Sequence, residues 1–167
     1  LQFTRRWART LRVAPTPEEQ LLYEDVATFV RERLQQAAGV RHLGRLALIS
    51  LQMALGSSSQ AAASTLAKMS DNQGLEESER ERLADLSARA RGQGESAKTE
   101  RLLKLLEEFQ DKTVIFTQFL ATQEMLRGRL EEAGHAVAVF HGGLSRLEKE
   151  AAIERFRGPA RLLLATE

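Results

Sequence analysis

Apolar and polar positions follow two different rhythms along the chain, and the change falls near residue 95. In "TPEEQLLYEDVATFVRERLQQ", Leu21, Leu22, Val26, Phe29, Val30 and Leu34 recur at helical spacing on one broad face, which predicts a core helix. Its start is marked by Thr16 as a cap, Pro17 at the first helical position and Glu19 completing a capping box. "VRHLGRLALISLQMAL" and "SSSQAAASTLAKM" are also helical in pattern, with Ser57 to Ser59 as the break and cap between them. "LEESERERLADLSARAR" predicts a charged amphipathic helix stopped by Gly92 and Gly94. Ahead of all these, the alternation in "TLRVAP" suggests a short strand or an extended linker.

From Ser96 the rhythm changes. "AKTERLLKLLEEF" reads as a helix, "KTVIFTQ" as a short buried strand, and "ATQEMLRGRLEEAG" as a helix ended by Gly134. "HAVAVF" is a strand beginning near His135, "SRLEKEAAIERF" a helix stopped by Gly158-Pro159, and "ARLLLAT" a final strand. Strands alternating with helices imply right-handed crossovers and a parallel sheet. The fold class expected is α/β: a linker and helical region over residues 1–94, then a partial parallel sheet with flanking helices over 95–167.

Composition narrows the setting more than the function. The chain has 167 residues, enough for one ordinary domain or two small ones. Lys+Arg 24 against Asp+Glu 23 leaves a net charge of +1, so any nucleic-acid surface must come from local clustering, as in Arg5, Arg6, Arg9 and Arg12 of the opening arm. The absence of cysteine excludes a disulfide framework and thiolate zinc sites and agrees with a reducing compartment. No apolar run approaches the roughly 18 residues of a membrane span, and nothing at Leu1 resembles a signal peptide, so a cytoplasmic setting is expected. Leu1 is not Met and "ARLLLATE" reads as a buried strand with no closing element, so a fragment of a larger protein is expected.

Several motifs carry no chemistry. "GVRHLGRL", Gly39 to Leu46, has the glycine spacing of a nucleotide-binding loop, but Arg45 and Leu46 stand where Lys and Ser/Thr are required, and it follows a helix instead of a strand. His42, His135 and His141 lie far apart with no ligand spacing around them, so no metal site is expected. There is no G-x-S-x-G elbow, and no self-contained catalytic site is expected.

The corners of the second half are more informative. In a parallel sheet the functional edge lies at the carboxyl ends of the strands, where loops meet helix N-termini that favour anions. Three strands end in "FTQF", "FHGG" and "LATE", presenting Thr117 and Gln118, His141 to Gly143, and Thr166 and Glu167 at one edge. The glycines are expected to permit close backbone approach and positive φ. Ser145 with Glu148 forms a capping box opening the next helix. Either a plain tight turn or a phosphate cradle fits these residues alone.

Taken in order, "VIFTQF", "FHGGLSRLEKEAAIERF" and "LLLATE", with "SAKTERLLKLLEE" ahead of them, resemble the start of the second RecA-like lobe of superfamily-two helicases. More narrowly they resemble the Snf-two (SWI/SNF-type) DNA-dependent ATPases, as found in bacteria. "RVAPTPEEQLLYEDV" and "LALISLQMALGSSSQAAASTL" resemble the segments between the two lobes of that family. The resemblance implies a P-loop NTPase-like helicase lobe truncated at the fifth motif, with the first lobe and the arginine-bearing sixth motif outside the chain. It implies ATP and Mg in the parent protein and none bound by this fragment. It also implies DNA as partner, held by the phosphate backbone of the duplex. Thr117, Gln118, His141, Gly142, Gly143 and Thr166 are carried over as nucleic-acid contacts. Lys149 stands where many relatives have an arginine facing the track or bracing the lobe. Two alternatives stay open: an RNA helicase lobe of the DEAD-box kind, and a non-catalytic helical interaction module.

Overall fold

A computed structural model describes residues 7–35 and 44–166. Arg5, Arg6, Gly39, His42 and Glu167 lie outside the described residues. Residues 7–16 form no helix or strand, so the short strand, one of the two expectations for "TLRVAP", is not formed. Helix α1 (Pro17–Gln35) then starts on the capping box: the Thr16 amide donates to Glu19 Oε2 at 2.8 Å, and the Glu19 amide to Thr16 Oγ1 at 3.2 Å. Two donors that the helix start would leave unpaired are thereby satisfied.

Helices α2 (Arg45–Ser57), α3 (Ser59–Ser70) and α4 (Glu77–Arg91) complete the first half. The break falls on Ser58, whose extended backbone ends α2 and whose Oγ accepts from the Ala61 amide at 3.0 Å to start α3. Leu22, Val26, Phe29 and Val30 of α1 form one core with Leu48, Leu51, Leu66 and Leu83. Full burial of each such side chain stabilises the fold by about 1.5–3 kcal/mol. The predicted α1 face is too wide: Leu21 and Leu34 are 60% and 45% exposed. Only the Leu22, Val26, Phe29, Val30 stripe meets neighbours, and α4 holds that side with ion pairs as well, Arg33 to Glu79 at 2.9 Å and Arg82 to Glu32 at 2.6 Å.

The second half runs α5 (Ala97–Glu108), β1 (Thr113–Thr117), α6 (Leu120–Glu132), β2 (Val137–Phe140), α7 (Arg146–Arg157) and β3 (Leu162–Thr166). The sheet is parallel, as the strand–helix alternation predicts, in the order β1-β3-β2: the α6 crossover takes the chain from β1 to the opposite edge at β2, and the α7 crossover returns it to the central position at β3. Leu106, Leu126, Leu130, Val137, Leu162 and Leu164 form a second core, with Ile115 and Val139 against it. Ile115 of β1, Val137 and Val139 of β2, and Leu162 and Leu164 of β3 therefore face α5 and α6. Gly134 ends α6 with φ +82°, and the His135 amide returns to the Leu130 carbonyl at 2.9 Å.

β1 departs from expectation. It is an edge strand and not a buried one, with Val114 and Phe116 42% and 77% exposed. An uninterrupted apolar run reads as burial on both faces, yet α5 and α6 cover only the Ile115 side.

The two halves meet through polar groups. Thr122 Oγ1 on α6 lies 2.6 Å from Ser58 Oγ and 2.9 Å from Ser57 Oγ. Lys98 Nζ donates to the Gly56 carbonyl. Within the second half, Arg129 Nη2 pairs with Glu95 at 2.7 Å, and hydrogen bonds to Glu95 and Glu132 raise the guanidinium pKa further above its ordinary value. Among the described residues no helix is long and apolar enough to cross a membrane.

Candidate functional site

All three strands are parallel, so their carboxyl ends meet at one edge. Thr117 is the register partner of Thr166, and Phe140 that of Ala165. The edge therefore runs from Thr117 and Gln118, across Thr166 on the central strand, to His141, Gly142 and Gly143 after β2. Gln118 is exposed, Thr117 half-buried with its hydroxyl donating to the Phe119 carbonyl at 3.4 Å, and Thr166 buried at 8% exposure. Thus the structure places six of the seven sequence-derived residues along one line of strand ends, and the seventh, Lys149, behind them.

Lys149 Nζ donates to the Gly142 carbonyl at 3.2 Å. That bond ties the first turns of α7 to the corner. The corner itself is a tight turn in which the Leu144 amide donates to the His141 carbonyl at 3.2 Å. The expectation of positive φ at its glycines is corrected: among the described residues Gly134 is the glycine with positive φ. What Gly143 supplies is space, because a Cβ there would sit 3.3 Å from His141 Nδ1 and 3.4 Å from Cε1. The His141 ring lies against the backbone, and its Nδ1 is buried without a hydrogen-bond partner.

Beyond the turn, the Ser145 amide donates to Glu148 Oε2 at 2.7 Å and the Glu148 amide to Ser145 Oγ at 3.3 Å. The capping box predicted for α7 is present. Hydrogen bonds from the Ser145 side chain and then its backbone hold the Glu148 carboxyl below the usual carboxylate range, with a smaller contribution from His141.

Three residues of the site were not singled out in the sequence. Gln123 is only 3% exposed, and its Nε2 donates to the carbonyls of Phe140 at 3.0 Å and Leu164 at 3.1 Å, tying the ends of β2 and β3 together from α6. The signal was an amide on the phase of α6 that also carries Leu126 and Leu130. Thr122, 4% exposed, anchors the first turn of α6 to the α2–α3 junction. Lys98 borders a cleft of about 360 Å³ that also takes in Thr117 and Gln118.

Other sequence candidates lie elsewhere. Arg9 and Arg12 are exposed on the extended segment, and Gly44 precedes α2 where the near-match to a nucleotide loop ends. Among the described residues no three or more His, Asp or Glu side chains are grouped as metal ligands would be.

Comparison with known proteins places this edge in context. Residues 97–167 match the helicase conserved C-terminal domain. Over its whole length the chain is 27% identical to the Bacillus subtilis protein YqhH, described as an uncharacterized ATP-dependent helicase, and covers 29% of it. A stretch of 73 residues is 38% identical to the Synechocystis RNA helicase CrhR, covering 42% of this chain and 15% of that protein. The chain thus spans less than a third of the length of these relatives. In structure, 90% of the chain superposes on 59% of the Sulfolobus solfataricus SWI2/SNF2 ATPase C-terminal domain, with a TM-score of 0.55 and 19% identity. That level of identity supports the fold alone.

Proposed function

We propose, from the premise that residues 97–167 form part of a helicase C-terminal domain, that the chain is the second-lobe portion of an ATP-dependent, DNA-stimulated translocase or remodeller of the SWI/SNF kind. The observation that carries this reading is the alignment of Thr117, Gln118, Thr166 and the His141–Gly143 turn along one carboxyl edge of a parallel sheet. Hydroxyls, an amide, an imidazole and exposed backbone are groups that bind phosphate oxygens without reading base edges. A grip of that type moves along DNA independently of sequence and weakens with salt. Lys149 braces the turn that presents His141.

The sequence has no G-x-x-x-x-G-K-[ST] loop, and the described residues include no carboxylate cluster. These residues therefore do not fit Mg-ATP by themselves, and we assign ATP and Mg to a first lobe. The role left to this chain is to hold one strand's phosphates while lobe closure and opening shift the grip. A cytoplasmic setting goes with this reading.

The test is His141→Ala in a protein carrying both lobes. DNA-stimulated ATP hydrolysis is expected to fall while ATP binding is retained; an unchanged response to DNA refutes the reading. The 73-residue likeness to CrhR favours a second reading, in which the nucleic acid is RNA. Stimulation by RNA in place of duplex DNA in the same assay decides for it.

A further inference from the structure

The sheet edge opens into the 360 Å³ cleft between β1, α5 and the α2–α3 junction, whose polar lining includes Ser57, Ser96, Lys98, Thr117, Gln118 and Thr122. It begins at the corner proposed to hold phosphate and runs onto the helical half. Its lining includes one cation and no carboxylate. A neighbouring cavity of about 320 Å³ shares Ser57, Ser96 and Lys98 but also contains Glu19. There Glu19 Oε2 accepts from the Thr16 amide at 2.8 Å and the Ala97 amide at 3.4 Å, so the first turns of α1 and α5 already have an anion built in. The cleft beside Thr117 has the same cation and no such internal anion.

Lys98 is exposed on the first turn of α5, with Nζ anchored on the Gly56 carbonyl at the end of α2. An ammonium has three donors: one fixes the side chain and two remain for oxygen atoms in the cleft. The floor includes Leu102 and Ile115, and an ion pair against apolar walls is stronger than one on an open surface.

We infer that this cleft holds a phosphodiester of the DNA backbone, with Lys98 as its cation and Ser57 beside it, so that the helical half lengthens the track that starts at Thr117 and Gln118. The inference rests on the reading of the sheet edge as a DNA track. It adds a contact made by a residue outside the three strand corners and places a residue of α2 next to the nucleic acid.

The experiment is a salt series of labelled duplex DNA binding to a protein carrying both lobes, read by fluorescence anisotropy. Lys98→Ala is expected to weaken binding about tenfold and to flatten the plot of log affinity against log salt by about 0.9, the release of one counterion. Lys98→Arg keeps the slope, and so does Lys68→Ala, which removes an exposed charge on α3 outside the cleft lining. Independently of any variant's folding, acetylation of Lys98 in the unaltered protein, followed by mass spectrometry, is expected to slow with duplex DNA and not with matched inorganic phosphate or ATP. An unchanged slope in Lys98→Ala, or undiminished acetylation with DNA bound, overturns the inference. If His141→Ala still weakens binding in that case, the sheet-edge reading stands. Equal protection by ATP or phosphate makes the cleft a free-anion site, and stronger protection by RNA overturns the choice of DNA. Absence of duplex binding at low salt removes both readings together.

Discussion

Replacing Thr122 with Val deletes one hydroxyl at constant shape from the seam between the two halves. Thr122 is 4% exposed and Ser58 is 6% exposed, and their hydroxyl oxygens lie 2.6 Å apart. Ser58 Oγ also accepts from the Ala61 amide at 3.0 Å, and either hydroxyl of the Ser58–Thr122 pair can be the donor. In Thr122→Val the buried Ser58 hydroxyl loses this partner, and an unsatisfied buried group costs about 1–3 kcal/mol. Ser57, also within 2.9 Å of Thr122, is only half-buried and turns to water at little cost. A loss near 2 kcal/mol lowers the melting temperature of a chain this size by roughly 4–8 °C. Urea denaturation of the chain and of the Ser58→Ala and Thr122→Val variants, singly and together, isolates the pair. Ser58→Ala costs more because it also removes the α3 cap, and the double variant is expected to fall short of additivity by about 1 kcal/mol or more. A Thr122→Val cost below about 0.5 kcal/mol, or strict additivity, refutes the assignment of this contact as a satisfied buried pair.

Gly143→Ala places a methyl group 3.3 Å from His141 Nδ1, so the ring must shift; the His141 ring proton resonances are expected to move while the thermal midpoint changes little, and unmoved resonances refute the close approach. Gln123→Leu removes both amide bonds to the Phe140 and Leu164 carbonyls, with an expected loss of about 2 kcal/mol by urea denaturation; a neutral effect refutes its role as a tie between strand ends. Glu148 has a folded pKa below its ordinary value, so the unfolded chain takes up the proton first. The stability Glu148 contributes is therefore present above the ordinary carboxylate pKa and is lost as pH falls through the lower, folded one. Glu148→Gln is expected to show a smaller loss of stability than the parent on acidification across that interval, and parallel profiles refute the shift.

The legible parts of this chain were those whose cause lies within a few residues. The T-x-x-E and S-x-x-E boxes before α1 and α7, the serine break between α2 and α3, and Gly134 after α6 each satisfy backbone groups from their own neighbourhood. The strand corners were legible for a related reason: once three strands are parallel, their carboxyl ends share an edge whatever the side chains do. What sequence could not give was choice of distant partner. Nothing near Thr122 indicates a serine 64 residues earlier, and nothing near Gln123 names two carbonyls on different strands. The same limit explains β1, since "VIF" reads alike whether one face of a strand is covered or two. At the glycine corner, of the two expectations, positive φ is absent, while Gly143 does sit in close contact, with its missing Cβ leaving room for the ring of His141.

The seam between the halves bears on how the edge is placed. Each half has its own apolar core, and the groups that join them include hydroxyls and an ammonium on a carbonyl. A hydrogen bond contributes roughly 1 kcal/mol net, so the seam adds modestly to stability. Its bonds are directional, however, and apolar contact is not. Thr122 lies in the first turn of the helix that follows Gln118, and Ser58 is both the end of α2 and the cap of α3. The position of the Thr117–Gln118 corner relative to the helical half is thereby set by one buried hydroxyl pair. The helical half is in consequence a fixed wall of the cleft at the sheet edge, and Lys98, anchored across the seam on Gly56, projects its charge where that wall and the first strand corner meet.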